Sequence, residues 1–373
     1  MNKSYQICAK CVMDTSDPLI KFDEKGICNH CKTYDENVSK YVFTGDEGRK
    51  KLTKVVNTIK EDGKNKEYDC IIGVSGGVDS SYAAYLAAKE GLRPLAVSLD
   101  NGWDTELAVK NVQLLLAKVG FDLEKVVLDR EEFKDIQLAF LKASTPDCEV
   151  PTDHAIIATL VNKARERGLS NIIIGRNVRT ESHGTPAWSN GHQDWRYIKS
   201  VHDRFGSKPL RTFPHYILYD RYFILRNYNF ISLLNYVDYK KKDAIRVLED
   251  EVGWRYYGGK HYESVYTRFL QGYILPKKFG FDKRRSHLSS LICSGETTRD
   301  EALKELENEP YPRDVMEADK KYVIKKLGLS EGEFEEIMSL PPKTFWDYPS
   351  YQSMLKNKPY TRLLRWVYRN FIK

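Results

Sequence analysis

The feature that most constrains the fold is a short apolar run that leads into a glycine pair and then into a helical pattern. Residues 70–81 read Cys-Ile-Ile-Gly-Val-Ser-Gly-Gly-Val-Asp-Ser-Ser. A strand, loop and helix in this order direct several backbone N–H groups at one point, which creates a binding site for an anion. Gly76 and Gly77 permit the tight turn and the close approach of phosphate oxygens. The Gly-Lys-Ser/Thr ending of a Walker loop is absent, so the sequence predicts a different kind of phosphate loop.

The region from residue 68 to about residue 178 alternates short apolar runs with amphipathic stretches. Its sequence predicts strands at 70–74, 95–99, 126–128 and 172–175, and helices at 81–90, 106–119, 131–143 and 153–167. Such alternation is typical of an α/β domain with a doubly wound, mostly parallel sheet. Ligands of these sheets bind at the carboxyl ends of the strands, where the glycine loop is expected to lie.

The parts of the chain outside this region differ from it in pattern. Residues 1–45 carry paired cysteines and few apolar residues, 46–66 read as a helix and linker, 67–205 form the nucleotide domain, and 206–373 form a mainly helical region. Helices in the last part are predicted at 240–252, 301–306, 317–327 and, with an amphipathic pattern, at 361–373. We expect the amphipathic helix to pack on the core, and docking elsewhere is the alternative.

Charge and hydropathy limit the classes of protein to which the chain can belong. The 373 residues carry a net charge of +7, which suits polyanionic ligands such as nucleotides but does not require nucleic acid. No apolar signal-peptide core follows the first residues, and charged residues interrupt the most hydrophobic stretch, 216–237. We therefore expect a cytoplasmic protein without a transmembrane segment and without a nucleic-acid partner.

Four of the seven cysteines form two Cys-x-x-Cys pairs, Cys8 with Cys11 and Cys28 with Cys31. Their spacing predicts one structural zinc ion held by four thiolates, which stabilises a segment too poor in apolar residues for a core of its own. His30 is expected to be a neighbour of this ion and not a ligand. A redox pair is the alternative, although such pairs usually open a helix within a βαβ unit.

The sequence Ser-Gly-Gly-Val-Asp-Ser at 75–80 resembles the pyrophosphate loop of the ATP-pyrophosphatase (PP-loop) superfamily, which cleaves ATP between its α- and β-phosphates. A glycine turn that only joins strand to helix is the alternative. The resemblance implies an adenine nucleotide alpha-hydrolase-like fold, with ATP and Mg²⁺ as cofactors. The residues that it implies for ATP binding are Ser75, Gly76, Gly77, Val78, Asp79, Ser80, Asp100, Gly175, Arg176 and Asn177. Asp79 and Glu181 are the expected metal ligands, and helix capping is the alternative role of Asp100.

Four further segments, at 179–188, 239–245, 253–264 and 275–289, together resemble the N-acetyl sugar amidotransferases of bacterial surface-polysaccharide and nonulosonic-acid pathways. The resemblance covers nearly the whole chain. It implies that ATP and ammonia convert an acetamido group of a free or nucleotide-linked amino sugar into an acetamidino group, with AMP and pyrophosphate as products. An amide oxygen is a poor leaving group, and adenylation of that oxygen would allow ammonia to displace it.

The same resemblance implies roles for charged residues in the second half of the chain. Besides Asp79, it favours Lys260, His261 and Glu263 as catalytic residues without assigning them individual roles, and a solvated polar turn is the alternative. A basic wall for a sugar diphosphate is expected from Arg268, Lys283, Arg284 and Arg285. The alternative is that this run of charge is a solvated face.

A separate glutaminase is the expected partner, because the sequence shows no nucleophilic cysteine suited to amide hydrolysis. Residue 2 is Asn, and no Gly-x-Cys-x-Gly elbow occurs.

Two rival functions are a tRNA-thiolating ATP pyrophosphatase and a nucleotide-binding protein without turnover. Sulfur transfer requires a reactive thiol, and only Cys70, Cys148 and Cys293 remain outside the zinc set. The intact loop argues against loss of turnover.

Overall fold

The computed structural model describes residues 4–356 and Trp366. The predicted amphipathic helix at 361–373 therefore lies outside the described residues, apart from Trp366.

Five parallel strands form one sheet in the order β3-β2-β1-β4-β5. The strands are β1 Cys70–Gly73, β2 Pro94–Asp100, β3 Leu123–Val127, β4 Asn171–Ile173 and β5 Asn229–Ile231. The chain runs outward from β1 to β3 and then returns to the other side of β1, so the order reverses between β1 and β4. This reversal creates a crevice at the carboxyl ends of those two strands. The predicted fold class is confirmed, but β5 was not predicted.

Helices make up most of the remaining described chain. They are α1 Asn29–Tyr41, α2 Gly45–Asp62, α3 Val78–Lys89, α4 Glu106–Val119, α5 Arg130–Ala143, α6 Val150–Glu166, α7 Val178–Glu181, α8 Trp195–Phe205, α9 Leu218–Asn227, α10 Lys241–Val252, α11 Val265–Phe269, α12 Arg284–Cys293, α13 Arg299–Glu307, α14 Arg313–Leu327, α15 Glu331–Ser339 and α16 Tyr351–Lys356. Two 3₁₀ segments, Leu233–Tyr236 and Phe345–Asp347, and a π-helical segment, Leu270–Phe279, complete the set. Within the described residues, no helix combines the length and apolar character needed to cross a membrane.

Helices cover both faces of the sheet, as a buried parallel sheet requires. Successive side chains of β1 point to opposite faces: Ile72 packs into a core with residues of α2, α3, α4 and α10, whereas Ile71 packs into a second core with α6. Both isoleucines are fully buried. Because apolar residues are needed on both faces, β1 reads as a continuous apolar run and not as an alternating one.

The N-terminal segment packs against α12 and α13 through polar contacts to its backbone. The N–H of Val12 donates to Ser289 Oγ over 3.2 Å, and Arg285 donates to the Val12 carbonyl over 2.8 Å. Arg299 Nε donates to the carbonyls of Cys8 and Cys11, both at 3.2 Å. The cysteine pairs are thus fixed to the helical C-terminal region.

Candidate nucleotide-binding cleft and cysteine cluster

The glycine loop after β1 is stabilised by its own two serines. The N–H of Ser75 donates to Ser80 Oγ over 3.3 Å, the two hydroxyl oxygens are 3.1 Å apart, and the N–H of Gly77 donates to Ser75 Oγ over 3.3 Å. Gly76 has φ +80°, and a Cβ there would lie 2.5 Å from the Ala108 carbonyl oxygen. A side chain at position 76 would therefore be strained and would collide with α4.

Aromatic residues that follow α10 hold the glycine loop from the other side. The indole N–H of Trp254 donates to the Gly76 carbonyl over 3.2 Å, and the N–H of Val78 donates to the Tyr257 hydroxyl over 3.1 Å. Trp254 is nearly fully buried. Neither Trp254 nor Tyr257 was expected at this site from the sequence. Both residues lie in the 253–264 segment that carries the family resemblance, and this was the one feature of the sequence that pointed to a role for them.

The loop after β4 meets the glycine loop at the point where the strand order reverses. A Cβ on Gly175 would lie 2.6 Å from the Ser80 backbone, so only glycine allows this approach. Arg176 lines the cleft. Asn177 instead caps α7, because its Oδ1 accepts the Thr180 N–H over 2.9 Å. Asn177 is thus occupied in a structural contact, and not directed at phosphate as the sequence suggested.

Two carboxylates and two lysines form the charged centre of the cleft. Lys260 Nζ lies 3.1 Å from Glu181 Oε1, and the Tyr239 hydroxyl donates to Asp79 Oδ1. Burial, and then the charge of Glu181, raise the pKa of Asp79. Burial acts to raise the pKa of Glu181 as well, but the charges of Lys260 and His261, together with the hydrogen bond from Lys260, outweigh burial and lower that pKa. Burial lowers the pKa of Lys241, which also lines the cleft and which the sequence analysis did not single out.

His261 and Glu263 lie beside the glycine loop. His261 Nδ1 is 3.5 Å from Glu263 Oε1, and that oxygen lies 3.1 Å from the position of a Cβ on Gly77. Burial acts to raise the pKa of Glu263, but the hydrogen bond and charge of His261 lower it overall. His261 adopts φ +62°, a left-handed conformation that is costly for a residue with a side chain.

At the end of β2, the cleft is lined by Asn101 and Asp104, while Asp100 points elsewhere. Asp100 Oδ2 pairs with Lys125 Nζ at 2.6 Å, and its Oδ1 accepts the Gly102 N–H over 2.8 Å. Burial, and then the charge of Asp100, raise the pKa of Asp104 to about 6. The structure therefore brings the neighbour Asp104 into the cleft in place of Asp100.

Most of the expected basic wall is occupied in structural ion pairs. Arg268 makes two 2.8 Å hydrogen bonds to Asp319, and Arg284 pairs with Asp282 at 2.7 Å. Arg285 binds Asp14 at 3.0 Å and so anchors the N-terminal segment. Of these basic residues, the structure places Lys283 in the lining of the cleft.

The end of the cleft near Lys283 is acidic, which the sequence analysis did not predict. Asp147, Glu149 and Asp153 line it, and His192 Nε2 pairs with Asp147 Oδ2 at 3.1 Å. Thr267 donates to Glu149 Oε2 over 2.8 Å, whereas Glu149 Oε1 is buried without a hydrogen-bond partner among the described residues. Burial raises the pKa of Glu149 to about 8 even though the Thr267 hydrogen bond opposes this. The whole cleft encloses about 1070 Å³.

The four paired cysteines converge on one point, as predicted. All four are fully buried, and their sulfur atoms lie 3.9 Å (Cys8–Cys31), 3.7 Å (Cys11–Cys28) and 3.7 Å (Cys28–Cys31) apart. Four sulfurs placed tetrahedrally at about 2.3 Å from a zinc ion would be about 3.8 Å apart, so the donor set fits zinc. His30 Nε2 bonds Asp17 at 2.6 Å and is not among these donors.

The C-terminal part of the cleft and the helices behind it match a family of known proteins. Residues 263–363 match the family model described as "LPS biosynthesis protein WbpG-like, C-terminal domain". This part of the chain is therefore similar to the C-terminal domain of WbpG-like LPS biosynthesis proteins. The WbpG-like domain contributes Glu263, Lys283 and the helix α12 that contacts the cysteine cluster.

Two known proteins are similar to the chain in sequence, over different lengths. An uncharacterized protein of Methanocaldococcus jannaschii is 25% identical over 317 residues, which is 83% of this chain and 96% of that protein. The tRNA-specific 2-thiouridylase MnmA of Pediococcus pentosaceus is 28% identical over 142 residues, or 35% of this chain and 36% of MnmA. The first match covers most of both proteins, whereas the second covers about a third of each.

Two solved structures show a distant similarity. NMN synthetase from Francisella tularensis is 19% identical, with a TM-score of 0.29, and the match covers 39% of this chain and 62% of that chain. NH3-dependent NAD synthetase from Campylobacter jejuni is 16% identical, with a TM-score of 0.28, and the match covers 55% of this chain and 93% of that chain.

Proposed function

We propose that the chain is an ATP-dependent amidotransferase that converts an acetamido group of an amino sugar into an acetamidino group. ATP is the activating substrate, ammonia is the nitrogen donor, and AMP and pyrophosphate are the products. The match to an LPS biosynthesis domain supports a saccharide substrate, and the loop at 75–80 supports cleavage of ATP between the α- and β-phosphates.

The observation that carries the proposal is that the glycine loop and the 258–263 loop face each other across one cleft. Lys260 and Lys241 lie beside Asp79, at the edge where the N-terminus of α3 points. The phosphates of ATP would be bound by the N–H groups of the loop and by these two lysines. The carboxylates of Asp79 and Glu181 form an oxygen donor set that suits Mg²⁺, which would neutralise phosphate charge.

The reaction requires two displacements. In the first, the amide oxygen of the acetamido group attacks the α-phosphorus of ATP, the bond to the β-phosphate oxygen breaks, and pyrophosphate leaves from the glycine loop. The amide nitrogen gives up its proton, which produces an O-adenylated imidate. In the second, ammonia attacks the imidate carbon and AMP leaves with the former amide oxygen. The residues supply positioning and charge, which account for most catalysis in such transfers.

The acidic end of the cleft suits the sugar or the ammonia better than it suits a diphosphate. Asp147, Glu149 and Asp153 can form hydrogen bonds with sugar hydroxyl groups or with an ammonium ion, and the Asp147 carboxylate would repel a diphosphate. Because Arg268 and Arg284 are held in ion pairs, a basic wall for a nucleotide-linked sugar is not supported there. Lys283 is the remaining candidate from that basic group for a contact with a sugar diphosphate. The proposed substrate is therefore an amino sugar, either free or linked to a nucleotide.

Transfer of sulfur to tRNA is the second candidate, and the partial match to MnmA favours it. Thiolation needs a thiolate near the activated carbon. Among the described residues that line the cleft there is no cysteine, and burial raises the pKa of both Cys70 and Cys148 above the ordinary value. The environment of the cysteines therefore supports amidation over thiolation.

The test is a reaction of the purified chain with ATP, Mg²⁺, an ammonium salt and a panel of acetamido sugars, with unmodified tRNA plus a sulfur donor in a parallel arm. We expect AMP, pyrophosphate and a sugar whose mass corresponds to replacement of the amide oxygen by NH. Formation of ADP and inorganic phosphate would refute the mechanism. Thiolated tRNA, with no change in any sugar, would favour the second candidate.

A further inference from the structure

A second group of metal-binding side chains adjoins the first cysteine cluster and is not part of it. Cys31, His183 and Cys293 bring their donor atoms within 4.8 Å of one another. The three residues come from α1, from the segment after α7 and from the end of α12, so their meeting depends on the tertiary fold. Neither the cleft chemistry nor the four-cysteine site uses His183 or Cys293.

The three donor atoms form a nearly equilateral triangle. Cys293 Sγ is 3.9 Å from Cys31 Sγ and 3.8 Å from His183 Nε2, and Cys31 Sγ is 3.9 Å from the same nitrogen. An ion at the centre of this triangle would lie about 2.2 Å from each atom, between the usual Zn–N distance of about 2.0 Å and the Zn–S distance of about 2.3 Å.

The hydrogen bonds of His183 select the tautomer that a metal ligand needs. Ser290 Oγ donates to the Ser286 carbonyl over 3.3 Å, so its oxygen accepts from His183 Nδ1, 3.0 Å away. Nε2 then carries a lone pair and faces the two sulfur atoms. Such outer hydrogen bonds commonly orient ligating histidines. The ring of Tyr34, with its centroid 5.3 Å from that of His183, fixes the plane of the imidazole.

We propose that Cys31, His183 and Cys293 bind a second divalent ion of the zinc class, with the Cys31 thiolate shared between the two ions. A thiolate sulfur has enough lone pairs to bridge two zinc ions, as in the Zn₂Cys₆ modules. Binding releases the Cys293 thiol proton to solvent. Cys293 borders a cavity of about 350 Å³, which gives room for a water molecule as the fourth ligand.

The second ion would join the cysteine segment to the nucleotide cleft. His183 lies two residues after Glu181, which pairs with Lys260 at the charged centre. The ion would thus tie α1 and α12 to the loop that carries Glu181. This inference does not depend on the proposed reaction, because it concerns metal content alone.

The test is the zinc content of the reduced, full-length protein after saturation with zinc and removal of loosely bound ions. We expect two zinc ions per chain in the wild type and one in Cys293→Ala and in His183→Ala. Cys148→Ala, which removes a buried thiol outside both groups, should retain two. One zinc ion in the wild type, or two in both His183→Ala and Cys293→Ala, would overturn the proposal.

A measurement on the wild type alone covers the case in which the variants fail to fold. Cadmium NMR of protein reconstituted with cadmium should show two resonances, both in the range of sulfur-rich coordination and coupled through the shared thiolate. A single resonance at saturating cadmium would contradict the second site.

Discussion

Lys260 Nζ lies 3.1 Å from Glu181 Oε1 and joins the 258–263 loop to the loop that follows β4. Both side chains are about four-fifths buried, and Asp79 lies close enough for its charge to act on each of them. Burial acts to lower the pKa of Lys260, but Glu181 and then Asp79 outweigh it and raise that pKa. The Lys260 ammonium group therefore interacts with two carboxylates at the point where the phosphates of ATP are proposed to bind.

Lys260→Met should destabilise the protein by about 1 to 3 kcal/mol, because it leaves Glu181 buried without its partner. The double change Lys260→Met with Glu181→Gln should recover much of this loss, and denaturant unfolding of all four proteins measures the coupling. Lys64→Met, which disrupts an exposed pair with Glu61, is the matched control and should change stability little. Additive losses in the double variant would show that the two residues act separately.

Asp79→Asn should lower the rate of pyrophosphate release by on the order of 100-fold or more, because a charged oxygen ligand is lost where phosphate charge develops. The substitution preserves size and leaves an acceptor for the Tyr239 hydroxyl, so the fold should persist. Asp243→Asn, on the exposed side of α10, is the control and should retain full activity. Release of pyrophosphate at the wild-type rate by Asp79→Asn would exclude a catalytic role.

The sequence predicts the sheet well where a strand is buried on both faces. β1 and β2 have continuous apolar runs, and their helical partners α3 and α4 follow directly. β5 was missed because three residues, Asn229–Ile231, form a strand only through pairing with β4. A strand this short carries little periodicity, and a partner distant in sequence decides its conformation.

The charged site was harder to predict, because ion pairs depend on contacts across the chain. Lys260, His261 and Glu263 could be identified from their segment, yet nothing local distinguishes Arg268 from Lys283. Asp319 lies 51 residues beyond Arg268 and removes it from the cleft by pairing with it. The sequence contains both residues, but their contact follows from the packing of α11 on α14.

Cys11→Ala should remove the zinc ion of the four-cysteine site and lower the thermal midpoint by several degrees, because the bound ion would cross-link the two cysteine pairs in the folded state. The measurement is zinc content together with a melting curve in the presence of a reductant. Cys70→Ala removes a buried cysteine that belongs to β1 and is the control for lost packing alone. A Cys11→Ala protein with unchanged zinc content would contradict the predicted ligand set.

Glu149→Gln should stabilise the protein relative to wild type at alkaline pH and not at acidic pH. The folded-state pKa of Glu149, about 8, lies above that of an unfolded chain, so the neutral form is favoured on folding. The neutral Glu149 carboxyl group contributes fully to the stability of the folded protein below the pKa that this residue has in the unfolded chain. This contribution is lost as pH rises through about 8. The free energy of unfolding of the variant should exceed that of the wild type by more than about 1 kcal/mol at pH 8, and the difference should vanish near pH 4.

The pH series of denaturant unfolding should be repeated for Glu61→Gln, which alters an exposed glutamate and should show no such trend. A difference between Glu149→Gln and wild type that is constant from pH 4 to pH 9 would mean that packing, and not ionisation, separates the two proteins.

Ammonium salts at raised pH should support amidination by the purified chain, whereas glutamine alone should not. Hydrolysis of glutamine needs an activated thiolate. Four cysteines form the buried cluster predicted to bind zinc, burial raises the pKa of Cys70 and Cys148, and Cys293 lies beside His183 away from the cleft. Raising the pH increases the fraction of free ammonia, so the rate at a fixed ammonium concentration should increase with it.

Addition of a purified glutaminase should restore activity with glutamine, because it supplies ammonia that the cleft can use. The rate should then follow the ammonia released, unless the two proteins form a complex that passes ammonia between them. In a complex, glutamine would support a higher rate than the same amount of free ammonia. Formation of the acetamidino sugar from glutamine by the chain alone would show that one of its own residues hydrolyses the amide, and the separate glutaminase would be unnecessary.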